Sequence, residues 1–139
     1  SIHTSSGVEA IKAAKKITKV KLLGVTTLTS FNEINLKEIG YTKKIDQLII
    51  HQAKIAKKAG CYAVICSGKE SLKINKLVKI KTITPGIRLP GDKTNDQKRI
   101  TSPKDALIKY KATGIVLGRS ISLGNIKNNF KRLFRNLES

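Results

Sequence analysis

The sequence predicts an α/β protein in which strands and helices alternate around a parallel sheet. Two observations carry this. Short apolar runs rich in Val, Ile and Leu, which read as strands buried on both faces, alternate with stretches whose apolar residues recur at helical spacing. Polar and glycine-containing segments fall directly after those runs, where the functional loops of parallel α/β proteins lie. At 139 residues, of which 40% are apolar, the chain amounts to one domain with a modest core.

Five strands can be read. The first is the stub Ile2 to Thr4; "KLLGVTTL" from Lys21, "YAVIC" from Tyr62, "IKTIT" from Ile80 and "GIVLG" from Gly114 follow. Between them lie helices with identifiable ends. Val8 to Lys16 is short and alanine-rich, and Asp46 to Ala59 aligns Ile49, Ile50, Ala53 and Ala56 before stopping at Gly60, a C-cap residue. Ser102 and Pro103 suit the N-cap and first turn of another helix that carries Ala106 and Leu107 inward. The last helix, from about Asn125, spaces Ile126, Phe130, Leu133, Phe134 and Leu137 for packing and turns Lys127, Lys131, Arg132 and Arg135 to water. No linker, fixed-period repeat or low-complexity block divides the chain. Five β/α units fit a small doubly wound sheet or part of an eight-fold barrel, and periodicity does not choose between them.

The formal charge of +19 raises the question of nucleic acid. Lysine dominates the basic residues, and it is spread along helix faces: Lys12, Lys15, Lys16 and Lys19, then Lys54, Lys57 and Lys58, then Lys69, Lys73 and Lys76. No RNA-recognition motif, zinc finger or basic zipper accompanies it, and the few aromatics form no stacking platform. Solvated helix faces are the favoured reading; a short basic protein that binds nucleic acid or a partner through charge is the alternative. Cys61 and Cys66 have no further thiols or paired histidines nearby to complete a zinc site, so they read as reduced core thiols. No run approaches the roughly 18 apolar residues of a membrane helix, and no signal-peptide pattern opens the chain, so no membrane partner and a cytoplasmic location are expected. The chain contains no methionine and opens on "SIHTSSG", which reads as an internal start.

The candidate chemistry lies after the strands. The segment "TITPGIRLPGDKTNDQKRIT", Thr82 to Thr101, concentrates proline, glycine and two arginines in a lysine-rich protein. Arginine has a reason to be there, because its planar fork matches a phosphate bidentately where lysine offers a point charge. Gly118 after the fifth strand leaves room for close backbone approach, Arg119 offers donors to a dianion, and Arg88 and Gln97 can reach in from the long preceding loop. In barrels that take phosphorylated substrates, the phosphate commonly lies between the loops after the seventh and eighth strands.

Together, "IHTSSG", "LLGVTTLTS", "AVICSGKE", "TPGIRLPGDKTNDQKRITSP" and "IVLGRSI" resemble the bacterial orotidine 5'-phosphate decarboxylase family, nearly end to end. The resemblance implies a (β/α)8 TIM barrel that dimerises, of which residues 1–139 are the C-terminal portion of one domain, covering strands four to eight. It implies a phosphate-binding group of Arg88, Gln97, Gly118 and Arg119, and a contact from Thr29 to the pyrimidine, with Ser30 its neighbour. It implies no metal or organic cofactor, and orotidine 5'-monophosphate as the small-molecule partner. The family's Asp-x-Lys-x-x-Asp segment, whose lysine protonates the carbanion left by carbon dioxide, does not occur in these residues and is expected to precede residue 1. No catalytic residue is therefore assigned, and the chain is expected to be inactive alone.

Other polar residues read more plainly. His3 is expected to be a buried histidine bonded to backbone, and His51 to lie on a helix surface or packing face. Asp92 and Asp96 read as turn formers in a Gly/Asn/Lys loop rather than an acid/base pair.

Overall fold

The computed structural model describes residues 1–92 and 99–139. Strands β1 (Ile2–His3), β2 (Leu23–Val25), β3 (Ala63–Ile65), β4 (Lys81–Thr84) and β5 (Gly114–Ile115) form one sheet in which every neighbouring pair is parallel. Their spatial order is β1-β2-β3-β4-β5, the same as their order in the chain. That order separates the two architectures that periodicity left open. A doubly wound sheet reverses direction at a switch point, whereas successive right-handed crossovers without reversal put every helix on one face, as in a barrel wall.

The helices are α1 (Gly7–Lys16), α2 (Glu33–Glu38), α3 (Ile45–Lys58), α4 (Gly68–Leu77), α5 (Arg119–Ser122) and α6 (Ile126–Glu138). The ends of α1 and α3 fall within a residue of expectation, and Gly60 leaves α3 with φ +80°, the left-handed conformation that a C-terminal glycine supplies. Sequence reading did not delimit α2 or α4, though both carry capping boxes: Asn32 with Asn35, and Ser67 with Glu70. The segment opened by Ser102 closes as a π-helical turn, Asp105–Lys109, in which Ser102 Oγ accepts from the Asp105 amide at 3.0 Å. Ala106 is buried there as expected.

Burial on the two faces of the sheet differs. Gly24, Val64 and Thr82, one register row, lie against the helices and are buried. Val25, Ile65 and Ile83, the next row, are only half-buried, because they point to the concave side that a closed barrel would enclose. The expectation of strands buried on both faces therefore holds on the helix side and at Ala63, but not at Val25, Ile65 and Ile83. The core joins Ile49, Ala53 and Ala56 of α3 to Val64, Cys66, Ile74, Val78 and Ile80. Gly24 is what lets α3 approach: a Cβ there would stand 2.7 Å from the Ala56 Cβ. Between β4 and α4, Ser71 Oγ lies 3.1 Å from Thr84 Oγ1 and 3.6 Å from Cys66 Sγ.

Several lysines complement helix ends. Lys15 and Lys16 close α1, Lys57 and Lys58 close α3, and Lys57 Nζ donates to the Val78 carbonyl at 2.7 Å. His51 is exposed on α3. His3 is a correction: it is exposed at the end of β1, an edge strand with a neighbour on one side only, so no packed interior surrounds it.

A second correction concerns α6. Leu133 and Asn129 are buried, but Ile126, Phe130 and Phe134 are 54%, 43% and 56% exposed. In a closed barrel the last helix lies beside the first β/α unit, and five strands leave that flank open. Arg132, expected to face water, instead donates to the Pro90 carbonyl at 3.0 Å and to Asp92 Oδ1 at 2.6 Å, tying α6 to the loop after β4. Asp92 is also the turn residue expected, its amide bonding to the Leu89 carbonyl at 3.0 Å. Burial pushes the Asp92 carboxyl up, but hydrogen bonds from Ser120 and Arg132 and the Arg132 charge outweigh it and hold the group below the usual carboxylate range.

Three outcomes follow from this packing. Gly24→Ala should cost about 1–3 kcal/mol in denaturant unfolding, because α3 must move off β2; a neutral result would show that the contact yields freely. Burial pushes the Cys66 thiol up to about 12, so at pH 8 only about one in ten thousand is thiolate. A thiol reagent should leave Cys66 unlabelled until denaturant is added, and rapid native labelling would contradict its burial. Asp92→Asn should lose about 0.5–1 kcal/mol at pH 7. Because the folded-state pKa is lowered, that contribution is present above the unfolded value and lost as pH falls through the folded one. The gap between the two proteins should therefore close in acid below about pH 4, and a gap constant from pH 7 to pH 3 would exclude the ion pair as its source.

Candidate functional site

Because all strands run the same way, the loops after β2, β4 and β5 meet at one end of the sheet. There Thr29, Pro85, Gly86, Arg88, Val116, Gly118 and Arg119 line a cavity of about 230 Å³. Four of the residues singled out from sequence thus share one space: Thr29 from the loop after β2, Arg88 from the loop after β4, and Gly118 with Arg119 from the end of β5. Gln97 lies outside the described residues.

The loop after β4 is pinned at both ends. The Arg88 amide donates to the Thr101 carbonyl at 3.1 Å, and the Thr101 amide to the Gly86 carbonyl at 3.2 Å. Thr101 in turn packs on the first residue of α4, where a Cβ on Gly68 would fall 2.8 Å from Thr101 Oγ1. Between these anchors, Leu89–Pro90–Gly91–Asp92 makes a turn with φ +85° at Gly91, the position where such a turn takes glycine.

Arg88 is 8% exposed. Its Nη1 donates to the Ile87 carbonyl at 2.9 Å, while its buried Nε meets no hydrogen-bond partner among the described residues. Among the described residues no carboxylate pairs with it. A cation so placed is costly unless an anion meets it, and the side chain borders two cavities that an anion could enter. The second, of about 330 Å³, is lined by Arg88, Gly91, Asp92, Arg119, Ser120, Leu123, Asn129 and Arg132.

Gly118 precedes α5, and among the described residues a Cβ built on it would meet no atom within 4 Å beyond its chain neighbours. The glycine thus leaves space in the cavity itself. Arg119 opens α5 and is exposed beside it, bordering both cavities. Thr29 is 8% exposed, and the backbone before it is held from two sides. Gln52 Oε1 accepts from the Thr27 amide at 2.8 Å and from Thr27 Oγ1 at 3.0 Å.

The other side is held by Arg99, a residue that sequence reasoning did not select. Its Nη2 donates to the Thr27 carbonyl at 3.0 Å and the Leu28 carbonyl at 2.6 Å, and its Nη1 pairs with Glu70 Oε1. Two signals in the sequence bear on it: Arg99 is the second arginine of the proline- and glycine-rich segment, and Glu70 completes the "SGKE" capping box. Neither says that the two residues meet across 29 positions.

Among the described residues, no group of three or more His, Cys, Asp or Glu could hold a metal ion, and no helix is long and apolar enough to cross a membrane. Residues 1–125 match the family described as Orotidine 5'-phosphate decarboxylase / HUMPS. The chain is 42% identical over 140 residues to orotidine 5'-phosphate decarboxylase of Buchnera aphidicola subsp. Acyrthosiphon pisum (strain APS), covering 96% of this chain and 58% of that protein. It is 40% identical over 130 residues to the protein of that name from Ehrlichia chaffeensis, covering 89% of this chain and 55% of the relative. Among solved structures, orotidine 5'-phosphate decarboxylase from Lactobacillus acidophilus superposes with TM-score 0.76 at 28% identity, over 99% of this chain and 62% of that one. The chain thus spans less than two thirds of the length of these relatives, as a five-stranded stretch of a TIM barrel. The family match over residues 1–125 and the 42% identity over nearly the whole chain show that the chain belongs to the orotidine 5'-phosphate decarboxylase family.

Proposed function

We propose that this chain is the phosphate- and pyrimidine-binding portion of an enzyme that decarboxylates orotidine 5'-monophosphate to uridine 5'-monophosphate in pyrimidine biosynthesis. The observation that carries it is the convergence of Thr29, Arg88, Gly118 and Arg119 on one cavity. Arg119 and Arg88 hold the phosphate dianion, Gly118 gives it room, Gln97 joins from the loop, and Thr29 meets the base. Holding the phosphate far from the reacting carbon lets distant binding energy align the ring for the chemical step. Loss of carbon dioxide leaves a carbanion that a lysine must protonate. That lysine belongs to an Asp-x-Lys-x-x-Asp segment, which these 139 residues do not contain. Family membership supports a cytoplasmic homodimer for the complete enzyme, working without metal or organic cofactor and without specific nucleic-acid or membrane partners.

The 139-residue chain by itself should show no decarboxylation above a buffer blank, and detectable turnover would overturn the division of labour. Fusing the N-terminal β/α units of a relative to it should restore activity. In that enzyme Arg119→Ala should lower kcat/KM by about 10- to 150-fold, the loss of one charge-assisted bond. Arg119→Lys should recover only part, because charge returns without the fork. The surface change Lys131→Ala should alter kcat/KM by less than about twofold. With orotidine lacking its phosphate, the Arg119→Ala penalty should largely vanish; an equal penalty for both substrates would make Arg119 structural.

A further inference from the structure

Arg99 stands outside the candidate cavity but reaches the loop that forms one wall of it. Its guanidinium spans three segments: the end of the long loop after β4, where it is rooted; the first turn of α4, through Glu70; and the Thr27 and Leu28 carbonyls just before Thr29. The ion pair is sheltered, the Arg99 and Glu70 side chains being 17% and 11% exposed. Glu70 is itself oriented, because its other oxygen accepts from the Ser67 amide at 2.9 Å. Leu28, whose carbonyl Arg99 takes, also receives the Phe31 amide at 3.0 Å, so the turn that presents Thr29 closes on the same atom.

We propose that Arg99 is a positioning residue that sets the base-binding side of the site: it locks the Thr27–Phe31 turn to the α4 N-terminus and so fixes where Thr29 stands. This rests on the reading of Thr29 as the pyrimidine contact. Three of the four phosphate residues are held by other contacts: Arg88 through the Arg88–Thr101 and Thr101–Gly86 backbone bonds, and Gly118 with Arg119 through α5. Loosening Arg99 therefore disturbs the base end of the ligand more than the phosphate end, where Arg88, Gly118 and Arg119 keep their own supports. Lysine cannot replace it, since one ammonium does not reach a carboxylate and two successive carbonyls in the fixed directions of a guanidinium fork.

The test titrates the fused enzyme described above and its variants with uridine 5'-monophosphate and with ribose 5-phosphate, and follows amide exchange without ligand. Arg99→Gln should weaken uridine 5'-monophosphate binding about tenfold while changing ribose 5-phosphate binding less than about twofold. The Phe31 amide should exchange about tenfold faster or more, with the β3 amides unchanged. Glu70→Gln keeps an acceptor for the Ser67 amide but loses the charge; it should give a smaller loss in the same direction, and serves if Arg99→Gln does not fold. The double variant should be no worse than Arg99→Gln, as expected of two residues acting as one unit. Equal weakening of both ligands, or a Phe31 exchange rate that does not change, would overturn the proposal. If the unsubstituted enzyme binds ribose 5-phosphate no better than ribose, the substrate reading fails. Faster Phe31 exchange in Arg99→Gln would then still support the clamp and separate the two failures.

Discussion

The structure depends on the close contact of α3 with β2 and β3. Gly24 has no side chain, Ala53 and Ala56 are small, and Val64 is fully buried beneath them, so the helix lies on the sheet without a gap. That contact seals the helix side of the central strands and fixes the direction in which β2 and β3 deliver their chains. The C-terminal ends then stand in a row, and loops distant in sequence are brought within reach of one another. The same helix supplies Gln52, which holds Thr27, so the element that packs the core also shapes a wall of the site.

Electrostatics divides the molecule. Lysine, spread over helix faces and helix C-termini, makes contacts for which a flexible point charge suffices: exposed pairs with Glu9 and Asp46, and one bond from Lys57 to the Val78 carbonyl. Arginine does the work that needs direction. Arg99 bridges a carboxylate and two carbonyls, Arg132 joins a carboxylate to a carbonyl, and Arg88 is buried where its Nε meets no partner among the described residues. A net charge of +19 therefore says less about partners than the placement of a few guanidinium groups.

The half-exposed face of the sheet, the edges at β1 and β5, and the exposed Ile126, Phe130 and Phe134 of α6 share one cause. Each lies where a closed eight-stranded barrel would place another β/α unit or its own interior. A sheet covered by helices on one side buries half of what its strand composition calls for. This accounts for residues such as Val25, Ile65 and Ile83 that look like core in sequence and are only half-buried in space.

Local periodicity, caps and turn chemistry suffice for the alternation of strand and helix, the positions of all five strands, the ends of α1 and α3, and the arginine- and glycine-bearing loops. The sequence also carried the family, through motifs spread along the whole chain. It left barrel and doubly wound sheet undecided, because both use the same β/α units and differ only in spatial order. Capping boxes at α2 and α4 were present but short. Contacts between distant segments set the rest: the exposure of His3 on an edge strand, the turning of Arg132 to Asp92, and the reach of Arg99 to Glu70 and the Thr27–Leu28 carbonyls. No local pattern specifies such pairs, since the residues are brought together by the packing of strands and helices that lie between them in the chain.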